Sequence, residues 1–426
     1  MNASDLATAM DAEVLVWTPG GGVTRAGVSG RARQLAKQLP AGDYIINLCE
    51  TRGAFLTTLV AAGMRGSTLL LPSSRATGQL ADIASRYPDP ITVRDADVSE
   101  AVLASGAAVD PAKDFPPDWR AAIVFTSGST GQPDGHVKAW RTLVETARLA
   151  RQRFMPGTER YHIVATVPAQ HMYGLETAVL FVLAANCAVS DRRPFFPRDI
   201  AEELERLPQP RLLVTTPPHL RACLEANIEL PPLRLIISAT APLARGLAAR
   251  AEATWGAPVH EIYGCTEAGS MASRHTIETD LWKAYGHSGV ELQGDRVFYR
   301  GAHLPGPVEL QDVLEPVGDR FRLLGRTSDL VKVAGKRASL SDLTQQLLSV
   351  TGVTDGVIFV PRPDARCAAL VVANGVSRET ILAELAQRID PVFLPRPLVL
   401  VPTLPRNETG KLPRAALLAA IGSQDE

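Results

Sequence analysis

The chain has 426 residues, of which 46% are hydrophobic and 21% are charged, a composition that can bury enough apolar surface to fold and that excludes global disorder. At about 150 residues per domain, this length predicts two or three domains. Lys and Arg together number 44 and Asp and Glu number 45, which gives a net charge of -1. Such a balanced chain has no general attraction to nucleic acid or to an anionic membrane, so we expect neither as a partner.

The five cysteines are scattered and form no CxxC pair, which argues against a disulfide framework and a structural zinc site. The N-terminus lacks the basic segment of a secretory signal, and no stretch reaches about 18 uninterrupted apolar residues. We therefore expect a cytoplasmic protein without a membrane span.

The predicted elements begin with a βαβ pattern, in which a strand at 44–48 precedes a helix at 51–64 and a buried strand at 68–71. Apolar runs continue the alternation, and the further predicted strands lie at 121–125, 162–167, 212–215 and 233–237. This alternation is typical of a large, mostly parallel sheet.

Between residues 286 and 319 the pattern changes to short alternating segments such as 296–300 and 307–310. Short alternating segments predict a small antiparallel or barrel-like subregion. We expect this subregion to close the large domain.

The residues after Arg326 predict a small α+β domain, with helices at 341–350 and 378–389 and strands at 357–360 and 368–372. The predicted fold class is therefore α/β. A large N-terminal domain of mostly parallel sheets sandwiched by helices (1–326) precedes a small C-terminal domain (327–426).

The segment FTSGSTGQPDG at 125–135 places a turn rich in hydroxyl groups directly after a buried strand. Glycines allow a tight turn and close approach to a ligand, while hydroxyl and backbone N–H groups can donate to anionic oxygens. The segment is not a Walker loop, since it lacks GxxxxGK[ST], and by itself it is equally typical of a Ser/Gly-rich surface turn. The residues that would contact phosphate are Thr126, Ser127, Gly128, Ser129, Thr130 and Gly131.

Four further segments follow this loop in a fixed order: SATAPL at 238–243, EIYGCTEAG at 261–269, LLGRTSDLVKVAGKR at 323–337 and LPRNETGKLPR at 404–414. Together with the loop they resemble the adenylate-forming superfamily of acyl-CoA synthetases, aryl-CoA ligases and nonribosomal peptide synthetase adenylation domains. The motifs of that superfamily run TSG[ST]TGxPKG, YGxTE, GRxDDxIK and PxTxxGK. The resemblance covers most of the chain from residue 121 to its end. It implies a ligase that uses ATP and Mg²⁺ to adenylate a small carboxylic acid, releases pyrophosphate and passes the acyl group to a thiol.

The resemblance also assigns residues to the nucleotide. Glu267 would hold Mg²⁺, Thr266 would bond the α-phosphate, and Lys411 would bridge the substrate carboxylate and the α-phosphate. Asp319 is the competitor of Asp312 for the ribose, and a plain core aromatic is the alternative for Tyr263. The residues implied for adenine and ribose are Ala239, Thr240, Ala241, Tyr263, Asp312 and Arg326.

The segment AQHMYGLE at 169–176 lies where the superfamily has its HxxGL substrate helix, which implies that His171, Gly174 and Gly264 border the acyl substrate. The neighbouring Met172 and Tyr173 are equally typical of core packing. The small domain would be mobile about a hinge at Ser328, and in its second pose Lys336 and Arg337, beside Gly335, would meet a phosphopantetheine or nucleotide phosphate.

Two positions depart from the superfamily pattern. Asp134 stands where the phosphate loop usually has Lys, so Lys138 is the candidate to supply the missing charge, and Ser328 replaces the usual Asp or Lys of the hinge. The compact chain with GHVKAW at 135–140 resembles the stand-alone ligases of bacterial aryl polyene and xanthomonadin pigment clusters. That resemblance implies a hydroxybenzoate substrate in pigment biosynthesis and an acyl carrier protein, or CoA, as the thiol acceptor.

Two other interpretations stay open at this stage. The departures at Asp134 and Ser328 are compatible with a degenerate protein that binds nucleotide or an acyl group without turnover. An adenylate-forming ligase with an oxygen or amine acceptor has the same motifs. The products formed when CoA, carrier protein and amines compete would separate these possibilities.

Overall fold

The computed structural model describes residues 12–98, 107–127, 133–294, 296–326, 330–333, 336–362, 365–406 and 412–422. We number the strands in the order of the chain. They are β1 (Val14–Thr18), β2 (Gly21–Thr24), β3 (Tyr44–Asn47), β4 (Thr68–Leu71), β5 (Ile91–Val93), β6 (Arg120–Ser127), β7 (Pro133–Ala139), β8 (Tyr161–Ala165), β9 (Cys187–Ser190), β10 (Arg211–Thr215), β11 (Leu235–Ser238), β12 (Val259–Cys265), β13 (Gly269–His275), β14 (Leu281–Ala284), β15 (Gly289–Gln293), β16 (Arg296–Arg300), β17 (Val308–Leu310), β18 (Asp312–Val317), β19 (Arg320–Arg326), β20 (Leu330–Val333), β21 (Lys336–Ser339), β22 (Val353–Phe359), β23 (Ala368–Ala373) and β24 (Leu398–Leu400).

The helices are numbered in the same way. They are α1 (Arg25–Gln38), α2 (Arg52–Arg65), α3 (Thr77–Ser85), α4 (Pro111–Asp114), α5 (Trp140–Phe154), α6 (Met172–Gly174), α7 (Phe181–Ala184), α8 (Pro197–Glu205), α9 (Pro217–Glu225), α10 (Arg245–Trp255), α11 (Leu340–Leu348), α12 (Arg378–Leu385) and α13 (Arg414–Gly422). A π-helical stretch (Leu175–Leu180) joins α6 to α7, and short 3₁₀ turns cover Asp95–Asp97 and Pro391–Phe393.

The first βαβ unit builds a sheet with the strand order β5-β3-β4-β6-β7. Its strands are parallel except β7, which runs antiparallel to β6. The side chains of β4 are buried along its whole length, as expected for a parallel strand covered on both faces. Helix α2 follows β3 because the side chain of Thr51 caps its first turn by accepting from Ala54 N. The predicted strand, helix and strand of this unit are confirmed.

The second sheet has the strand order β18-β19-β14-β13-β12-β11-β10-β8-β9-β1-β2 among the residues that the structure describes. The run β1, β9, β8, β10, β11 and β12 is parallel, whereas β13, β14, β19 and β18 continue it in antiparallel fashion. The predicted strands at 162–167, 212–215 and 233–237 are confirmed within one or two residues at each end.

One apolar core lies between these two sheets. It joins buried residues of β4 and β6 to residues of β8 and β10, with α2, α5 and the π-helical stretch between them. Nearly every residue of α2 is buried, because this helix is covered by a sheet on each side. The predicted sandwich of parallel sheets and helices is therefore confirmed.

The barrel-like subregion is formed by two facing antiparallel sheets. Strands β15, β16 and β17 make a separate three-stranded sheet. Its inner residues, such as Val297 and Tyr299, share a core with Trp282 and Phe321 of the large sheet. Strand β18, at the end of the predicted subregion, belongs to the large sheet by pairing with β19.

A smaller α+β unit follows. Strands β22, β23 and β24 form its sheet, α11 and α12 pack on the sheet, and β20 and β21 make a hairpin. The helices predicted at 341–350 and 378–389 are present but end earlier, at Leu348 and Leu385. The domain boundary after residue 326 stays a prediction. No helix among the described residues is long and apolar enough to cross a membrane.

Helix α2 packs closely against Phe115 at Gly63, which leads to a prediction for a substitution there. A Cβ atom at this position would lie 2.2 Å from Cε2 of Phe115. The Phe115 ring is itself held between Trp119 and Trp140, at centroid distances of 5.4 and 5.8 Å. We expect Gly63→Ala to lower the free energy of unfolding by about 1–3 kcal/mol, as overpacking does.

Urea unfolding checks this expectation. Gly246→Ala in α10 is the matched control, because its added methyl group meets nothing within 4 Å and should stabilise by up to about 1 kcal/mol through helix propensity. Equal shifts for the two variants would contradict the packing described for α2.

Candidate active site

The candidate site lies at one edge of the large sheet. Strands β8, β10, β11 and β12 are parallel neighbours, so the loops after their carboxyl ends meet at the same edge. These loops contain His171, Thr240 and Glu267, which come from three of the predicted motifs. The fold therefore assembles distant segments of the sequence at one place.

The turn between β12 and β13, residues 264–269, carries the predicted catalytic pair Thr266 and Glu267. Cys265 and Gly269 face each other where the two strands meet, so the turn is tight. Gly269 has φ +79°, and a Cβ atom there would lie 2.4 Å from Oε1 of Glu176. This close approach explains why the motif needs a glycine at its end.

Glu267 is half exposed and is a suitable ligand for a hard cation. Burial alone would raise the pKa of its carboxyl group. Hydrogen bonds from its own backbone N–H and from Cys265, together with the nearby side chains of His136 and Lys138, nevertheless hold the pKa of Glu267 below its usual value. The group is therefore ionised at neutral pH.

His136 is a site residue that the sequence analysis missed. Its Nε2 lies 3.9 Å from Oε1 of Glu267 and 3.3 Å from Oγ1 of Thr126. It thus connects the first residue of the predicted phosphate loop to the predicted magnesium ligand. The available signal was its place in β7, directly after the loop.

Lys138 lies beneath the turn. It is 3% exposed, and its Nζ donates to the backbone carbonyl of Glu267 at 2.7 Å. Burial lowers the pKa of this ammonium group, against the opposing charges of Glu176, Cys265 and Glu267. This placement favours a role in positioning the turn over the expected contact with the triphosphate. Asp134, the departure from the loop pattern, is exposed on the same strand.

Glu176 holds the other end of the turn. Both of its carboxylate oxygens lie 3.1 Å from the backbone N of Ser270, and the side chain is buried in the π-helical stretch. Burial raises the pKa of Glu176 to about 7, although the hydrogen bonds of Ser270 and the charge of Lys138 oppose the rise. The sequence signal, a carboxyl group inside the apolar run LETAVLFVLA, was not used.

Tyr263 and Asp312 form a buried pair at the start of the turn. The hydroxyl group of Tyr263 donates to Oδ2 of Asp312 at 2.7 Å. The Tyr263 ring also packs on Trp282 and Phe321, so the core alternative describes part of its role. Asp319 is 77% exposed beside Lys283 in the turn after β18. The geometry favours Asp312 over Asp319 as the residue near the nucleotide.

The segment 239–243 follows β11 at the same edge. Thr240 has φ +77°, a conformation that is strained for a β-branched residue and is found mostly at functional sites. Glu261 fixes this loop by accepting from Leu243 N at 2.9 Å. Ala239 is buried and Ala241 is half-buried in this loop.

The predicted substrate helix begins at His171. Gly174 packs so closely that a Cβ atom would lie 1.9 Å from the carbonyl oxygen of Pro168. Tyr173 donates to the carbonyl oxygens of Thr215 and Ile237, at 3.1 and 2.9 Å, and so ties the helix to the ends of β10 and β11. Tyr173 is therefore a structural residue, in agreement with the core-packing alternative.

Several predicted residues cannot be placed. Gly128, Ser129, Thr130, Gly131, Ser328, Gly335 and Lys411 lie outside the described residues, and so do the side chains of Ser127, Arg326 and Arg337. Lys336 is described and forms an ion pair with Asp390. The roles expected of all these residues stay predictions.

Comparison with known proteins decides the family. A match to the AMP-binding enzyme family covers residues 38–298, which is more than half of the chain. The chain belongs to the AMP-binding enzyme family. The chain is 29% identical over 404 residues to phosphinothricin tripeptide synthetase PhsC of Streptomyces viridochromogenes, over 83% of this chain and 36% of that protein.

Other similar proteins bear on the fold of this AMP-binding enzyme. It is 28% identical over 236 residues to a 4-coumarate–CoA ligase of Rhodobacter capsulatus, over 54% of this chain and 58% of that protein. It thus spans about a third to just under two thirds of the length of these curated relatives. The structure of the anthranilate CoA ligase AuaEII with anthranoyl-AMP superposes with a TM-score of 0.81 at 16% identity, over 100% of this chain and 99% of that one. This likeness confirms the predicted fold.

The buried carboxyl group of Glu176 generates a pH prediction. Because its pKa is raised to about 7 in the folded protein from a model-peptide value of 4.5, the folded state binds its proton more tightly than the unfolded state. Its contribution to stability is present below pH 4.5 and is lost as the pH rises to about 7. The side chain of Glu176→Gln stays neutral at every pH. Between pH 5 and pH 8, the wild type should therefore lose up to about 3 kcal/mol of its free energy of unfolding relative to this variant.

Denaturant unfolding at the two pH values measures this gain. Glu205→Gln, at an exposed position of α8, controls for the loss of one negative charge. A difference between Glu176→Gln and wild type that is the same at pH 5 and pH 8 would show that Glu176 does not titrate in this window.

Proposed function

We propose that this AMP-binding enzyme is an acid–thiol ligase that uses ATP and Mg²⁺ to adenylate a small aromatic carboxylic acid, such as a hydroxybenzoate. The acyl group then passes to the phosphopantetheine thiol of an acyl carrier protein or of CoA. The observation that carries the proposal is the ionised carboxylate of Glu267 on a clamped turn, next to the Tyr263–Asp312 pair. The large domain (1–326) would bind ATP and acid, and the small domain (327–426) would supply Lys411.

The residues present fit Mg²⁺ brought by the nucleotide. No cluster of three acidic, His or Cys ligands occurs among the residues that the structure describes. A site of one or two carboxylates completed by phosphates is how proteins hold Mg²⁺ at a nucleotide, and Glu267 supplies such a carboxylate. The ion would neutralise charge on the phosphates as pyrophosphate leaves.

The reaction has two steps. A carboxylate oxygen of the acid attacks the α-phosphorus of ATP, the bond from the α-phosphorus to the bridging oxygen breaks, and pyrophosphate leaves. The thiol then attacks the acyl carbon, loses its proton and displaces AMP. In the first step the Lys411 cation would stabilise the negative charge that gathers on the phosphoryl oxygens, and Thr266 would bond one of them.

The substrate class rests on the acyl side of the site. His171 and Gly174, on the helix that Tyr173 ties to β10 and β11, would border the acid together with Gly264 of β12. Relatives named 4-coumarate–CoA ligase and 4-chlorobenzoate–CoA ligase support an aromatic acid. Relatives that are named as CoA ligases support a thiol acceptor.

Pyrophosphate release with ATP and Mg²⁺ over benzoates, cinnamates and fatty acids tests the proposal. We expect release with aromatic acids only, and Lys411→Ala should lower its rate by about 10²-fold or more, the size of effect typical of a lost transition-state contact. Thioester formation from a supplied acyl adenylate should persist in that variant.

Lys113→Ala is the matched control, since this lysine is 71% exposed and pairs with Asp110 away from the turn. If the protein binds ATP but releases no pyrophosphate with any acid, the result would favour a binding protein without turnover. Amide or ester products, formed when amines, alcohols and thiols compete, would overturn the thiol acceptor.

A further inference from the structure

The small domain is joined to the large domain by an ion cluster at Asp355. This residue lies in β22, and its Oδ2 is 3.0 Å from Nη1 of Arg221 in α9 of the large domain. Arg406, from the small domain, donates to both oxygens of the same carboxylate, at 2.9 Å to Oδ1 and 3.2 Å to Oδ2. Arg406 lies in the motif at 404–414, whereas Arg221 and Asp355 belong to none of the sequence motifs and to no part of the site described above.

The cluster can fix the relative positions of the three side chains that form it. The side chains of Arg221, Asp355 and Arg406 are 17%, 15% and 20% exposed, so solvent screens their charges less than at the surface. Arg406 and the N–H of Gly356 already fix the carboxylate within its own domain. A guanidinium group that bonds both oxygens of a carboxylate fixes the orientation of the carboxylate and also stabilises the pair. Arg221 therefore meets a carboxylate whose position is set.

The cluster connects the residue Arg406, which precedes the predicted catalytic lysine in the sequence, to a helix at the active-site edge. Helix α9 follows β10 at the carboxyl edge of the parallel strands, where Tyr173 bonds the carbonyl of Thr215. Arg406 precedes Lys411 by five positions in LPRNETGK. Five residues span at most about 18 Å, so fixing Arg406 restricts where Lys411 can reach.

We propose that Arg221 is a positioning residue for adenylation, which acts through Asp355 and Arg406 to place the segment of Lys411 at the active site. The inference rests on the proposed function, because it gives Lys411 a part in the first step. Arg221 pairs with Asp355 and is not among the residues assigned to the nucleotide or the acid. Its loss therefore lowers the rate of adenylation by misplacing the lysine, without removing a group that the thioester step needs.

The test compares both half-reactions in the full-length protein. Arg221→Ala should lower kcat for pyrophosphate release about 10- to 100-fold, the range in which misplacement of a catalytic group acts. Thioester formation from a supplied acyl adenylate should stay within about 2-fold of wild type, and Arg221→Lys, which keeps a charge for Asp355, should recover part of the loss. Arg206→Ala is the matched control, because it breaks an ion pair with Glu203 inside the large domain.

A double-mutant cycle then separates positioning from general damage. Because Arg221 acts through the lysine, Arg221→Ala should cause no further loss of pyrophosphate release in a Lys411→Ala background. Unfolding midpoints of all variants establish that each is folded. Equal losses in the two half-reactions, or independent losses in the cycle, would overturn the inference.

The same variants distinguish this inference from the proposed function. If Lys411→Ala lowers pyrophosphate release and Arg221→Ala does not, the positioning role is wrong and the ligase proposal stands. If Lys411→Ala has no effect on pyrophosphate release, both the first-step role of the lysine and the positioning role of Arg221 fail.

Discussion

The candidate site depends on two buried ionisable side chains beneath one turn. Lys138 holds the carbonyl of Glu267, and Glu176 holds the N–H of Ser270, so the turn is fixed at both ends. Lys138 comes from the five-stranded sheet, Glu176 from the helix between the sheets, and the turn from the large sheet. Burying an ionisable group is costly, and here hydrogen bonds to the turn offset part of that cost. The position of Glu267 is thereby coupled to the packing of the two sheets.

In the proposed function, the same arrangement would bring the two substrates together. The nucleotide side would consist of the Tyr263–Asp312 pair, the Glu267 carboxylate and the loop of Thr240. The acyl side would begin at His171, at the N-terminus of the helix that carries Glu176. A displacement of that helix would therefore move both the acyl pocket and the turn of Glu267. The two proposed subsites are thus connected by packed elements of the fold and not by a flexible segment.

Much of the fold follows from the sequence because parallel strands covered on both faces are continuous apolar runs, as at 68–71 and 212–215. The antiparallel strands that directly follow the turn, β13 and β14, were not predicted. Strand β13, with the sequence GSMASRH, has neither a continuous apolar run nor regular alternation, and it is a strand because β12 and β14 pair with it. Pairing across the sheet is a tertiary property that a local pattern does not contain.

The site was predictable where function restricts a local motif and unpredictable where it depends on distant contacts. The resemblance was enough to propose Glu267, Tyr263 and Asp312 as neighbours of the nucleotide, and the structure shows that Tyr263 donates to Asp312. His136 was missed because its contact with Glu267 joins residues that are far apart in the chain. For the same reason, the link between Arg221 and Asp355 can be seen only once α9 and β22 are placed next to each other.

The central claim is that the carboxylate of the acid attacks the α-phosphorus of ATP. The most direct measurement supplies an accepted acid with ¹⁸O in its carboxyl group, together with ATP, Mg²⁺ and the thiol, and determines the label in the nucleotide product by mass spectrometry. Attack on the α-phosphorus predicts AMP that carries one ¹⁸O atom for each thioester formed. Label in inorganic phosphate with ADP as the nucleotide product, or AMP without label, would contradict the mechanism.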